Sequence, residues 1–76
     1  MPKISPVHWR RLCKIFEFDD WKLDRIQGDQ RVYVKEDYAR PVVIPMDREV
    51  QVFIILNNLK TAKISREYYF ELLKKS

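Results

Sequence analysis

The side chains best able to transfer a proton or attack a substrate are the single histidine, His8, and the single cysteine, Cys13. Both fall in a segment with helical periodicity, and a spacing of five residues places them on different faces of a helix. A nucleophilic cysteine needs a base beside it, and a zinc site needs further ligands of this kind. We therefore expect neither a Cys/His nucleophile nor a zinc site, and we interpret Cys13 as a small buried apolar residue.

The densest group of carboxylates is formed by Asp19, Asp20 and Asp24. A metal-dependent nuclease uses carboxylates of this kind as ligands, provided that they converge. These three fall at the end of a predicted helix and on the outer face of a predicted strand, so they are not expected to meet. We interpret them as solvated residues and expect no metal and no other cofactor.

The charge balance is basic, with 15 Lys and Arg against 11 Asp and Glu, a net charge of +4 and a pI near 9.4. Such a balance is compatible with nucleic acid as a ligand, but it also occurs in ordinary small domains. The candidate ligand surface consists of Arg10, Arg11, Lys14, Arg25, Arg31, Lys60 and Lys63. Tyr33 and Tyr38 are predicted on the outer face of a strand and in a turn, where they can stack on bases or contact a protein partner.

The elements that must position these residues begin with a helix in KISPVHWRRLCKIFEF. Ser5 is the predicted N-cap, Pro6 suits the first helical position, and Ile4 can pack onto Trp9. The predicted buried stripe recurs at helical spacing and consists of Val7, Trp9, Leu12, Cys13 and Phe16. The opposite face is predicted to be basic.

A β-hairpin is predicted for the next segment, where WKLDRIQ and QRVYVKE flank Gly28-Asp29. A two-residue turn of the primed type needs positive φ, which Gly and Asp tolerate. The register that follows pairs Gln27 with Gln30, Arg25 with Val32, Leu23 with Val34, and Trp21 with Glu36. In this register Tyr33 lies on the outer face, and Val32 and Val34 lie on the other.

A third strand and two further helices complete the prediction. PVVIP is a short apolar strand bounded by prolines, and DREVQVFIILNNLKTAK is a helix for which a strand-like start is also open. The predicted inward residues of this helix are Val52, Phe53, Ile55, Leu56 and Leu59. In ISREYYFELLKKS, Ser65 is the predicted N-cap and Ile64 can pack onto Tyr69.

The order of elements predicts an α+β fold in a single domain over residues 1–76. It has a helix, a three-stranded antiparallel sheet, a helix and a short C-terminal helix, with the helices on one face of the sheet. This α-β-β-β-α arrangement is that of double-stranded RNA-binding domains. The longest apolar run, VFIIL, is far shorter than the ~20 residues that a membrane span needs, so we expect a cytoplasmic protein.

The sequence resembles the HicA-type toxins (the YcfA family) over nearly its whole length. The resemblance is carried, in order, by KISPVHWRRLCKIFE, by W-x-L-x-R-x-x-G-D-Q-R-V-Y, by VVIP and by LKTAKISREYYFELL. It implies a fold similar to double-stranded RNA-binding domains and the activity of an mRNA interferase, an endoribonuclease. It also implies a HicB-like antitoxin as the protein partner of a type II toxin–antitoxin pair, and mRNA as the ligand.

The same resemblance places Gln30 where the family has its catalytic histidine, because Gly28-Asp29-Gln30 aligns with a Gly-Ser-His or Gly-Gly-His tripeptide. A second family histidine is replaced by Met46-Asp47. Cleavage by the 2′-hydroxyl of RNA needs a group that takes up its proton, and an amide cannot do so. Catalysis is therefore put in question, with His8 as a weak substitute candidate. The alternative function is a non-catalytic RNA-binding or protein-interaction module.

Overall fold

The computed structural model describes residues 3–76 and confirms the α+β prediction. The elements are α1 (Trp9–Phe18), β1 (Lys22–Gln27), β2 (Gln30–Val34), β3 (Val42–Pro45), α2 (Val52–Ala62) and α3 (Arg66–Lys75). The C-terminal helix was expected to be short, but it spans 10 residues and equals α1 in length. No helix within residues 3–76 has the length and apolar character needed to cross a membrane.

The strands form one antiparallel sheet in the order β1-β2-β3, and the core lies on one face of it. Tyr33 of β2 and Val42 and Ile44 of β3 point to this face and are fully buried. The core is completed by apolar residues of all three helices, with α1 and α2 against β3 and α3 against α1. The helices therefore cover β2 and β3 but leave β1 outside their layer, since all six β1 residues are exposed.

The start of α1 differs from the prediction, because Ser5 and Pro6 lie before the helix rather than in its first turn. The backbone N–H of Val50 donates to the carbonyl of Val7 at 2.7 Å, and the two residues form an isolated antiparallel bridge. This bridge holds the chain extended up to Val7, so the helix can begin only after it. His8 is the N-cap in place of Ser5.

The hairpin register is correct next to the turn, where Gln27 is opposite Gln30, but it shifts by one residue further along β1. A β-bulge between Leu23 and Arg25 places Leu23 opposite Tyr33 rather than Val34. The predicted outer position of Tyr33 is also wrong, because its side chain lies on the same face as Val42 of β3 and is completely buried against the helices. A bulge of this kind adds one residue to one strand, and the alternation of apolar residues does not reveal it.

The turn between β1 and β2 uses positive φ only at its first residue. Gly28 has φ +61°, which glycine adopts without steric cost, whereas Asp29 does not have a positive φ. The pattern is that of a type II′ turn rather than type I′, and it keeps the two-residue connection that the sequence predicts.

The inward face of α2 consists of Ile55, Asn58, Leu59 and Ala62. Phe53 and Leu56, which were predicted to face inward, are 71% and 43% exposed. The continuous apolar run hides the orientation, because either face of such a helix is apolar enough to be buried. The open alternative of a strand-like start applies to Val50, which pairs with Val7 just before the helix.

The beginning of α3 follows the prediction. The Ser65 hydroxyl oxygen accepts a hydrogen bond from the backbone N–H of Tyr68 at 3.1 Å, as an N-cap does. Ile64 and Tyr69 are both buried in the same core cluster, which fits the predicted packing of one onto the other.

The outer edge of β3 is closed by α2 and by prolines. The buried Asn58 side chain donates through Nδ2 to the carbonyl of Val43 at 3.2 Å. The residues on either side that point the same way, Pro41 and Pro45, have no N–H to offer. Of these three residues, only Val43 has a backbone N–H that an added strand could use, so this edge is unfavourable for strand pairing.

Replacing Asn58 by Ala should lower the free energy of unfolding by about 1–3 kcal/mol, because it leaves the partly buried Val43 carbonyl without its donor. The exposed neighbour Asn57 provides the matched control, and Asn57→Ala should change stability by less than about 0.5 kcal/mol. Urea unfolding followed by circular dichroism measures both. Equal stabilities for the two variants would contradict the role given to Asn58.

Candidate functional site

Three segments that are distant in sequence meet at the end of the sheet where β1 turns into β2. The backbone N–H of Trp9 donates to the carbonyl of Asp47 at 3.2 Å, and that of Met46 donates to the carbonyl of Asp29 at 2.8 Å. The guanidinium of Arg31 lies 4.8 Å from the centre of the Trp9 ring. The start of α1, the turn of the hairpin and the residues after β3 thus form one surface, which we call the hairpin end.

A groove of about 270 Å³ runs along this surface between α1 and β2. Its lining residues are Trp9, Arg10, Cys13, Lys14, Glu17 and Arg31. Trp9 carries two cations, because the Arg10 guanidinium also lies 5.2 Å from the ring centre. Indole is the aromatic system that binds cations best, so these contacts hold both guanidinium groups beside the groove. Arg31 Nε is buried there and has no hydrogen-bond partner within residues 3–76.

Cys13 of the groove lining and its hydrogen-bond partner Tyr33 are buried groups that do not titrate near neutral pH. Burial raises the pKa of the Tyr33 hydroxyl above its usual 10.0, and hydrogen bonds with Cys13 and Glu17 raise this pKa further. The hydroxyl donates to Glu17 Oε2 at 2.9 Å. Burial also raises the pKa of the Cys13 thiol, although the hydrogen bond with Tyr33 lowers it in part. Cys13 is buried, as predicted, and its protonated thiol is a poor nucleophile.

The imidazole of His8 lies at the hairpin end and has a structural task there. Its Nδ1 accepts a hydrogen bond from the backbone N–H of Arg10 at 3.1 Å, which caps α1. The ring also stacks on Trp9, with 5.8 Å between the ring centres. Nε2 is the nitrogen that this cap leaves for other partners. Within residues 3–76, His8 is the one histidine, so it supplies the one imidazole of the hairpin end.

Gln30 is exposed at the first position of β2, opposite Gln27 of β1 and Pro45 of β3. Successive side chains of a strand point to opposite faces, so Gln30 points away from the face that carries Arg31. Gln30 therefore lies at the rim of the hairpin end and does not line the groove. Met46, the next residue after Pro45, donates its backbone N–H to the carbonyl of Asp29, the residue before Gln30.

Two of the predicted ligand cations are held by other parts of the chain. Arg11 donates through Nη2 to the carbonyl of Leu73 at 3.2 Å and through Nε to Ser76 Oγ at 3.0 Å. It thereby satisfies a carbonyl in the last turn of α3, where cations are favoured. Arg25 forms a salt bridge with Asp24 at 2.6 Å on the exposed bulge of β1. Neither guanidinium lines the groove.

Lys60 and Lys63 lie at the opposite end of the sheet, in a separate depression of about 470 Å³ beside the loop between β2 and β3. Tyr38 shares this depression, and the ammonium group of Lys63 lies 5.8 Å from the Tyr38 ring centre. Tyr38 is half-buried because it packs edge-on against Trp21 at 5.1 Å. Of the predicted basic set, Arg10, Lys14 and Arg31 therefore line the groove and Lys60 and Lys63 lie at the opposite end of the sheet, whereas Arg11 and Arg25 belong to neither group.

The carboxylate of Asp19 is not solvated, contrary to the prediction. Oδ2 accepts from Trp21 Nε1 at 3.3 Å and from Lys35 Nζ at 3.4 Å, while Oδ1 accepts from the Tyr68 hydroxyl at 3.1 Å. Asp19 thus joins the end of α1 to the sheet and to α3. Its only signal in the sequence was its position at the end of a helix, which does not indicate these distant donors.

Two residues of the site were not recognised as ligand candidates from the sequence. Trp9 was assigned to the buried stripe, yet its half-buried ring organises the groove. The adjacent arginine, Arg10, was the available signal, since cations and indole rings attract each other. Arg40 lines the depression with Lys60, and nothing in the local sequence distinguishes it from other exposed arginines.

A comparison with protein-family models gave a match over residues 9–64 to the family described as HicA toxin of bacterial toxin–antitoxin systems. Searches of curated proteins and of solved structures gave no match. The matched range includes α1, the whole sheet, α2 and the residues that line the groove.

Stability should fall as the pH rises above 10, because the unfolded chain then ionises its tyrosines while the folded chain resists ionising Tyr33. Because the pKa of Tyr33 is raised in the folded state, the contribution of Tyr33 to the free energy of unfolding is complete below pH 10.0 and is lost at higher pH. Tyr33→Phe should reduce this loss by up to about 1.4 kcal/mol per pH unit. Urea unfolding at pH 8 and pH 11 compares the two proteins, in which all other groups are the same. Equal losses in both would contradict the effect.

Proposed function

The chain belongs to the HicA toxin family of bacterial toxin–antitoxin systems, and we propose that this toxin acts by binding RNA in the groove between α1 and β2. The observation that carries the proposal is that Arg10, Lys14 and Arg31 line one groove, in which both guanidinium groups lie against the Trp9 ring. None of these cations forms a salt bridge with a carboxylate of residues 3–76, so their charges are available to a polyanion.

The chemistry of the groove suits a phosphate backbone. Arg31 and Arg10 present planar guanidinium groups, which bind phosphate through paired N–H donors, and Lys14 adds a point charge. The half-buried Trp9 ring contacts both guanidinium groups and the His8 ring, so it holds these cations in place for a phosphate. Gln30 at the rim can accept from or donate to a 2′-hydroxyl group.

Cleavage is a separate question, because the sequence resemblance aligns the catalytic histidine of the family with Gln30 in this chain. Attack by a 2′-hydroxyl needs a base at that oxygen and an acid or cation at the leaving oxygen. The glutamine amide has no proton to exchange in the neutral range, and Met46 cannot replace a histidine either. We propose that the chain holds mRNA without an imidazole at position 30 and that His8 does not substitute for it, because Nδ1 of His8 caps α1.

Membership of the family implies an antitoxin partner. We propose that this partner is HicB-like and that residues 1–76 form a single-domain toxin. We also propose that the toxin and its antitoxin act in the cytoplasm. A protein-interaction module remains the second candidate function, because Phe53 of α2 presents an apolar ring that is 71% exposed.

Removal of Arg10 or Lys14 should weaken RNA binding because each variant takes away one cation that neutralises a phosphate. We expect Arg10→Ala and Lys14→Ala each to raise the Kd for a labelled RNA hairpin by about tenfold. The slope of log K against log salt should fall by roughly 0.7–0.9 for each phosphate that is no longer neutralised. Fluorescence anisotropy over a salt titration measures both quantities.

Lys74→Ala is the matched control, because it removes the same charge from the last turn of α3, which does not line the groove. It should leave the Kd within about twofold, since an exposed charge that makes no contact with the ligand acts only through a screened field. A Kd that responds equally to all three substitutions, or that does not depend on salt, would contradict RNA binding at the groove and favour the protein-interaction function.

Gln30→His should create or increase RNA cleavage, because it returns a group that can exchange protons to the rim of the hairpin end. We expect a rise of roughly 10²–10⁴-fold over the unchanged protein, measured as fragments of a labelled RNA on a denaturing gel. Gln27→His, on the opposing strand, is the control for a histidine added nearby. RNA that stays intact with Gln30→His would show that position 30 is not a disabled catalytic position.

A further inference from the structure

The free edge of β1 lacks the helix and the prolines that close the other edge of the sheet. All six residues of β1 are exposed, and no helix packs against the strand as α2 packs against β3. The β3 edge is closed by Asn58 and by two prolines, as described above. A sheet edge with free N–H and C=O groups is a template for an added strand, and proteins usually block it unless it has a use.

The hydrogen-bond pattern identifies which β1 residues present their backbone to this edge. Gln27 and Gln30 flank the two-residue turn, so their N–H and C=O groups pair with each other across the hairpin. The N–H and C=O of Ile26 therefore point outward. Because of the bulge, Leu23 is opposite Tyr33, two residues from the partner of Ile26, and it points outward as well. A regular strand can thus pair with Leu23 and Ile26 from outside, just as β2 pairs from inside.

The side chains at these two positions indicate what an added strand would carry. Leu23 and Ile26 are 43% and 52% exposed, and both lie on the face of the sheet that carries the helices. An added strand would place its own side chains on this face, where Arg31 is opposite Ile26 and Lys14 lies across the groove from β2. Apolar residues opposite Leu23 and Ile26 and carboxylates toward the cations would complement this surface.

We propose that the β1 edge receives an extended, acidic segment of the antitoxin partner, which adds a fourth strand to the sheet through the backbone of Leu23 and Ile26. A strand in this position lies along the outer side of β1, and its carboxylates on the helix face point toward Arg31, which is opposite Ile26. It therefore competes with RNA for the Arg31 guanidinium. This competition rests on the proposed RNA-binding function, whereas the strand addition itself does not.

A second copy of this chain suits the edge less well than an acidic partner. Each copy carries a net charge of +4, so two copies repel each other, and an edge of six residues buries far less than the ~1,200 Å² of a stable interface. An antitoxin can add further contacts beyond the strand. The bulge also requires a partner strand in matching register, which guards the edge against indiscriminate pairing.

The test uses the purified protein product of the adjoining reading frame as the antitoxin probe. Ile26→Pro removes the outward N–H without removing a bond between β1 and β2, and proline is tolerated at strand edges. We expect its Kd for the probe, measured by titration calorimetry, to rise at least about tenfold. Ile26→Thr keeps both the N–H and the β-branched shape and should stay within about threefold. An Ile26→Pro protein that binds as tightly as the unchanged chain overturns the proposal.

Hydrogen exchange on the unchanged chain gives a measurement that does not depend on a substitution. The amides of Leu23 and Ile26 should become protected when the probe is bound, and unchanged exchange at both would overturn the proposal even if Ile26→Pro fails to fold. Loss of binding in Phe53→Ser but not in Ile26→Pro would place the antitoxin on α2 instead. A homodimer in light scattering that Ile26→Pro converts to a monomer would assign the edge to a second copy.

The same variants separate this proposal from the RNA proposal. Ile26→Pro should keep its affinity for the labelled RNA hairpin within about threefold, because Ile26 offers no cation to phosphate. If the unchanged chain binds no RNA but the amides are protected by the probe, only the RNA function fails. If RNA binds at the groove and the Kd for the antitoxin probe is unchanged in Ile26→Pro, only the strand addition fails.

Discussion

The packing of the helices against Tyr33, Val42 and Ile44 is the interaction on which the rest of the structure depends. These side chains lie on one face of β2 and β3 and are fully excluded from solvent, and burying a large apolar side chain contributes about 1.5–3 kcal/mol. Helices of ten or eleven residues cover two strands but do not reach the third. Because β1 lies beyond this layer, the sheet has both an open edge and a groove beside α1.

The hairpin end shows how a tertiary contact gives meaning to residues that are unremarkable alone. The backbone bonds of Trp9 with Asp47 and of Met46 with Asp29 bring three segments together, and the cations then gather on one indole ring. A small domain has little interior, so its ligand surface must be built from segment ends and rims. The family match over residues 9–64 covers all of these segments.

Several polar side chains serve the fold and are therefore not free for a ligand. His8 caps α1, Arg11 binds the end of α3, and Asp19 accepts hydrogen bonds from three donors. Side chains of this type satisfy backbone and side-chain groups that a 76-residue chain has few other means to satisfy. The distinction between structural and ligand-binding cations therefore follows from hydrogen-bond partners rather than from charge.

The sequence by itself determined the order of the elements, the two-residue turn at Gly28 and the cap of α3 by Ser65, because each depends on residues within a few positions of one another. It did not determine the bulge in β1, the cap of α1 by His8 or the outward face of Phe53. Each of these is decided by a partner distant in the chain: Tyr33 opposite Leu23, Val50 beside Val7, and β3 beneath α2. Local periodicity reports which side chains can be buried, whereas only the assembled layers decide which of them are, and so which surfaces stay open for a ligand or a partner.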